Sequence, residues 1–166
     1  VYMNLSVLKS LPPEQFASGM GEVIKHGLIA DRDYLDFLIN NKDEITTFDP
    51  DSILNVVKRS CEIKGHVVEI DPKEQGIRAT LNFGHTIGHA IEKLSDFRLF
   101  HGQCVSVGMV AASYLSMKKG YISSDEYSMI RETIASYDLP VSVSAADYNA
   151  AEILATTKSD KKMAAG

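Results

Sequence analysis

Apolar residues return every three to four positions through most of this chain, and after the first few residues no sustained alternating pattern appears. That spacing suits a helix with 3.6 residues per turn and does not suit a half-buried strand. It predicts an all-α fold of about seven helices. Pro12-Pro13-Glu14 opens the first, because proline loses nothing in a first turn and an acid there suits the helix dipole; its apolar face is Phe16, Met20, Val23, Ile24 and Gly27, ending near Ala30. A second spans 31–41 on Tyr34, Leu35, Leu38 and Ile39, and after a polar turn Asp49-Pro50-Asp51-Ser52 begins a long one to about Ile70. Turn residues occupy 71–76, and the next helix is read over 78–94. His101-Gly102 begins another that stops at Lys118-Lys119-Gly120, Ser123-Ser124-Asp125-Glu126 caps one that runs to 138, and a short last helix follows Ala146-Asp147. Residues 1–7 are read as a short extended segment.

With 166 residues, 45% of them hydrophobic, the chain is long enough for one sizeable core, so one domain over 1–166 is expected. Seventeen basic against 22 acidic residues, with no basic run longer than a pair such as Lys161-Lys162, argues against nucleic acid as a partner. Cys61 and Cys104 are far apart and form no Cys-x-x-Cys pair, so neither a disulfide framework nor a thiolate zinc knuckle is expected, and a reducing cytoplasm fits best. Neither an export signal nor an apolar run of about 18 residues is present, so no membrane association is expected. The start without methionine and the polar end suggest a piece of a longer protein.

The stretch 78–101, RATLNFGHTIGHAIEKLSDFRLFH, concentrates the chemistry. Projected as one helix, Arg78, Asn82, His85 and His89 share an arc of roughly 60°, opposite Ala79, Phe83, Ile87, Ala90 and Leu94. His85 and His89, four apart, have the spacing of a zinc pair; His101 follows a short connection, and Glu22 offers an oxygen from another helix. Three protein ligands with one open position would make a catalytic zinc rather than a structural one. Spacing leaves open which histidines bind metal, and two histidines on a polar face can simply be solvated. Arg78 suits a phosphate or carboxylate, or an ion pair with Glu74, while Asn82 suits hydroxyls; together they point to a polyhydroxylated anionic substrate. Glu22 and Lys25 read either as a solvated face with a weak i, i+3 ion pair or as a carboxylate aimed into a cleft, a reading to which Gly19 and Gly21 add slight weight. Lys64 taken alone reads as surface. Gly84 and Gly88 read as a close helix-packing pair, and no Gly-x-Gly-x-x-Gly, Walker or Gly-x-Ser-x-Gly motif occurs.

Three blocks in order, 19–27 (GMGEVIKHG), 78–90 (RATLNFGHTIGHA) and His101-Gly102, carry a resemblance to the carboxy-terminal domain of the 3-dehydroquinate synthase family. The resemblance implies zinc or cobalt held by Glu22, His85 and His101. It makes His89 a substrate contact that moves protons, and Lys25, Lys64, Arg78, Asn82 and one of Lys161 and Lys162 substrate-binding positions, Lys25 with a catalytic role. It also implies a lyase of the shikimate pathway that uses NAD to turn 3-deoxy-D-arabino-heptulosonate 7-phosphate into 3-dehydroquinate and phosphate, in a homodimer. Residues 1–11 would be the entry from an absent amino-terminal NAD-binding α/β domain, so the chain alone is expected to be inactive. Pro72 departs from the acidic residue expected of the family in that turn. Related alternatives are another sugar phosphate cyclase such as a 2-deoxy-scyllo-inosose synthase, a glycerol dehydrogenase-like enzyme, or a helical interaction module that coordinates no ion.

Overall fold

A computed structural model describes residues 2–158, and every described element is helical. The elements are a 3-10 helix Leu5–Ser10, α1 Pro13–Ala30, α2 Arg32–Asn40, α3 Lys42–Thr46, α4 Pro50–Ile70, a 3-10 helix Ile77–Asn82, α5 His85–Leu94, α6 His101–Lys118, α7 Ser124–Ser136 and α8 Ala150–Thr157. Local chemistry explains most boundaries. Pro13 and Pro50 occupy first-turn positions, Asp31 and Asp49 accept the backbone N–H groups of Tyr34 and Ser52 at 2.9 and 3.0 Å, and Ser123 with Glu126 closes a reciprocal capping box. None of the described helices is long and apolar enough to cross a membrane.

Three expectations need correction. Residues 5–10 turn as a 3-10 helix instead of extending, with the Asn4 carboxamide accepting from Ser6 N at 3.1 Å. The turn after α2 contains the five-residue α3, too short for periodicity to reveal. The helix read over 78–94 is broken: 77–82 are 3-10, Gly84 sits at φ +80°, and α5 begins only at His85. The single helical projection that put Arg78 and Asn82 on one face with His85 and His89 therefore does not hold.

The chain divides into two compact units, residues 1–81 and 82–166. In the first, α1 packs on α2 and α4, burying Met20, Ile24, Leu35, Leu38, Ile53, Val56 and Ile63. A Cβ at Gly27 would come within 3.2 Å of Leu35 Cα, so this glycine sets how closely α1 and α2 approach. The Tyr34 hydroxyl donates to Val56 O at 2.8 Å and lies 2.9 Å from Ser60 Oγ, with its pKa pushed up to about 12 by burial.

In the second unit α6 is the centre, buried without a break from Cys104 to Val110 and packed by α5 and α7, while α8 packs on α5. Ile91, Cys104 and Val107 form a core that Ile87, Leu99, Val143, Tyr148 and Ile153 extend. Contact between α5 and α6 is a glycine contact. Cβ atoms would meet Val105 O at 2.7 Å from Gly84 and Val105 Cα at 3.0 Å from Gly88, and at Gly108 one would overlap the Gly84 carbonyl. The close packing expected of Gly84 and Gly88 is present, with Gly108 as its third member.

Candidate metal centre

Gly84 places the site as well as the helices. Its left-handed backbone halts the preceding 3-10 helix and makes His85 the first residue of α5; His89 follows one turn later, and His101 is the first residue of α6. Because α5 and α6 are in backbone contact, the three rings converge. Centroids are 5.2 Å apart for His85–His89, 5.2 Å for His85–His101 and 5.8 Å for His89–His101, and one ring nitrogen of each lies within 4.8 Å of the others. His85 is buried; His101, at the helix entrance, is exposed.

Two of the rings are oriented by oxygen. His85 Nδ1 lies 3.2 Å from Phe83 O, and His101 Nδ1 lies 3.3 Å from Glu92 Oε2. A carbonyl and a carboxylate can only accept, so in each neutral ring Nδ1 bears the proton and Nε2 keeps the lone pair. Convergent imidazoles with defined tautomers are suitable donors for zinc or a similar borderline ion, and the residues fit such a group.

In the first unit a different group gathers on α1. Lys25 is 2% exposed and its ammonium meets Glu22 Oε2 at 2.6 Å. The solvated-face reading of this pair is therefore wrong for Lys25: tertiary packing removes it from water, and its charge is matched at short range. Gly19 has open space where a Cβ would stand, so close approach does not explain it. His26, beside Lys25, is 6% exposed, and neither ring nitrogen meets a hydrogen-bond partner among the described residues. Burial, the Lys25 ammonium and, least, Lys64 push its pKa down to about 4, against the pull of Glu22, so it is neutral at pH 7. Lys64 on α4 is exposed, as its isolated reading held.

Arg78 is half-buried, and its Nη1 donates to Pro72 O at 3.0 Å. Its backbone is held by Asp71, whose carboxylate accepts from Gln75 N, Gly76 N and Arg78 N at 2.9, 2.7 and 3.0 Å and is drawn below the usual carboxylate range by those bonds. Asn82 is half-buried at the end of its 3-10 helix. Lys161 and Lys162 lie outside the described residues.

A family model described as 3-dehydroquinate synthase C-terminal matches residues 19–163. The chain belongs to the 3-dehydroquinate synthase family. It is 44% identical over 147 residues to the 3-dehydroquinate synthase of Ruminiclostridium cellulolyticum, covering 89% of this chain and 41% of that one. To the 3-dehydroquinate synthase of Syntrophotalea carbinolica it is 40% identical over 167 residues, covering 100% of this chain and 46% of that one. The chain thus spans under half the length of these curated relatives. Among solved structures it resembles ValA, a 2-epi-5-epi-valiolone synthase of Streptomyces hygroscopicus determined with NAD+ and Zn2+ bound, at a TM-score of 0.85 and 20% identity over 93% of this chain and 43% of that one. That likeness shows a shared fold, and it agrees with the all-α architecture expected for this part of a 3-dehydroquinate synthase.

Two residues escaped the sequence reading. Glu92 was discoverable, since 85, 89 and 92 fall at i, i+4 and i+7 and line one helical stripe. His26 was not, because its interest lies in burial without a partner, which no spacing encodes.

Proposed function

We propose that the protein carrying this chain is a 3-dehydroquinate synthase, a lyase that closes 3-deoxy-D-arabino-heptulosonate 7-phosphate to 3-dehydroquinate with loss of phosphate, in the shikimate pathway and the cytoplasm. The observation that carries the reading is the convergence of three imidazoles, two of them with Nδ1 committed to oxygen, in a chain of this family. We assign a zinc or cobalt ion to Glu22, His85 and His101, and treat 1–166 as one metal- and substrate-binding domain of a homodimeric enzyme. Bound there, such an ion supplies Lewis acidity toward the substrate's reacting hydroxyl and ketone. NAD supplies the transient oxidation, and its contacts are assigned to the part of the enzyme that this chain does not span.

The chain's own residues hold and move charge. Arg78, Lys64 and one of Lys161 and Lys162 bind the phosphate and carboxylate of the substrate; charge-assisted hydrogen bonds from several cations position a leaving phosphate and favour its departure. Asn82 bonds hydroxyls through both ends of its amide. His89 exchanges a proton with substrate at a ring nitrogen. Lys25, buried with its ammonium matched by Glu22, fixes the carboxylate's orientation and presents a cation to substrate.

A second reading follows from the same convergence: His89 joins His85 and His101 as the third imidazole of the metal set. Zinc titration of the protein and of His85→Ala, His89→Ala and His101→Ala separates the two. The first reading expects His85→Ala and His101→Ala to lose affinity while His89→Ala keeps it and loses turnover; loss of affinity in all three supports the second, and equal affinity in all four sinks both. For the reaction, the full-length protein with NAD and zinc is expected to release phosphate from heptulosonate phosphate, while the 166-residue chain alone does not. Turnover of glucose 6-phosphate instead would place it with the 2-deoxy-scyllo-inosose synthases, and dehydroquinate made by the isolated chain would overturn the assignment of NAD contacts elsewhere.

A further inference from the structure

The reading above gives Glu92 no role of its own in the centre, yet it holds a definite place in the second unit. It lies on α5 in the stripe of His85 and His89, and reaches past the turn 95–100 to the first residue of α6, where its Oε2 stands 3.3 Å from His101 Nδ1. The carboxylate is the more sheltered partner, its side chain 19% exposed against 43% for His101. It also borders the core, since the Cys104 thiol is pushed up to about 11 first by burial and then by the Glu92 carboxylate. His101 opens its helix after a connection in which Asp96 and Phe97 both have positive φ. His85, by contrast, is buried and held by a backbone carbonyl two residues away.

We propose that Glu92 is a positioning residue for the metal centre: its carboxylate accepts the Nδ1 proton of His101, fixes the tautomer with the lone pair on Nε2, and turns that nitrogen toward His85. The proposal rests on the assignment of His101 as a ligand. A carboxylate in this position both orients a ligating imidazole and raises its basicity, and removing such a partner typically lowers metal affinity by about 10–100-fold. It does for His101 through a side chain what Phe83 O does for His85 through the backbone.

The test uses the full-length protein and two readouts besides activity. The first is nitrogen-15 NMR of the histidine rings without metal: His101 is expected as the Nδ1–H tautomer, becoming a mixture in Glu92→Ala while His85 stays unchanged. The second is zinc affinity by competition with a chelator, expected to fall about 10–100-fold in Glu92→Ala and less in Glu92→Gln, which keeps a neutral acceptor and guards against a folding defect. Wild-type tautomer and affinity in Glu92→Ala would overturn the proposal while leaving the ligands in place, provided His85→Ala and His101→Ala still lose zinc. If those two variants bind zinc as the wild type does, the metal assignment itself fails and this inference with it. A loss in Glu92→Gln as complete as in His101→Ala, with an altered cobalt spectrum, would make Glu92 a ligand and also overturn the positioning role.

Discussion

The two units arrange their chemistry by opposite means. In residues 82–166 the groups are brought together by backbone proximity: three glycines let α5 and α6 touch, and three imidazoles borne on those helices follow. In residues 1–81 the groups are neighbours on one helix and owe their character to burial, which leaves Lys25 paired at 2.6 Å and His26 neutral with no hydrogen-bond partner for its ring among the described residues. The first arrangement depends on distance, so it is sensitive to a single added methyl. The second depends on dielectric and charge, so it is sensitive to pH.

The largest effect is expected where the first arrangement is most crowded. Gly108→Ala would place a Cβ into the Gly84 carbonyl and 3.0 Å from Gly88 N, with backbone on both sides and no side chain able to yield. It should destabilise the second unit by about 3 kcal/mol or more in urea unfolding and weaken zinc binding with it. Unchanged stability would mean that the two helices do not need their contact.

An intermediate effect belongs to His26. Its folded-state pKa, about 4, lies below the ordinary value of 6.5, so between those values the unfolded chain binds more protons than the folded one. The stability this group contributes is complete above about pH 6.5, declines as pH falls, and levels off below about 4, for a total of about 3 kcal/mol at most. His26→Phe should flatten that part of the stability–pH curve, and a difference curve without slope between pH 6.5 and 4 would show that the imidazole is not held neutral. The smallest effect has the opposite sign. Gly19→Ala, in a helix and facing open space, should raise stability by about 0.5–1 kcal/mol, as read from the urea midpoint.

The contrast also explains what was legible in the sequence. Helix starts were, because caps and first-turn prolines are local: Pro13, Asp31, Asp49 and Ser123 mark four of them. The break at Gly84 was not, since an otherwise uninterrupted 3.6-residue period runs across it, and only the fold shows this glycine left-handed and packed against Val105 and Met109. Lys25 looked solvated for a similar reason, since helix projection shows which face a residue occupies but not what covers it. The metal cluster was half legible: the spacing of His85 and His89 revealed a pair, but His101 could only be offered as a residue able to fold back, and its link to Glu92 needs the turn that reverses α5 into α6. The roles that divide His89 from the other two histidines came from family resemblance alone.

The clasp at Asp71 bears on how freely this part of the chain can change. One carboxylate gathers the backbone N–H groups of residues 75, 76 and 78, and Arg78 answers through the carbonyl of residue 72. Pro72 has no N–H to donate, and its side chain takes no part in these bonds. Proline can therefore stand at this position without costing the loop one of them, and the point of vulnerability shifts to Asp71. What this turn asks of its residues is thus concentrated in one carboxylate, which gathers three backbone N–H groups.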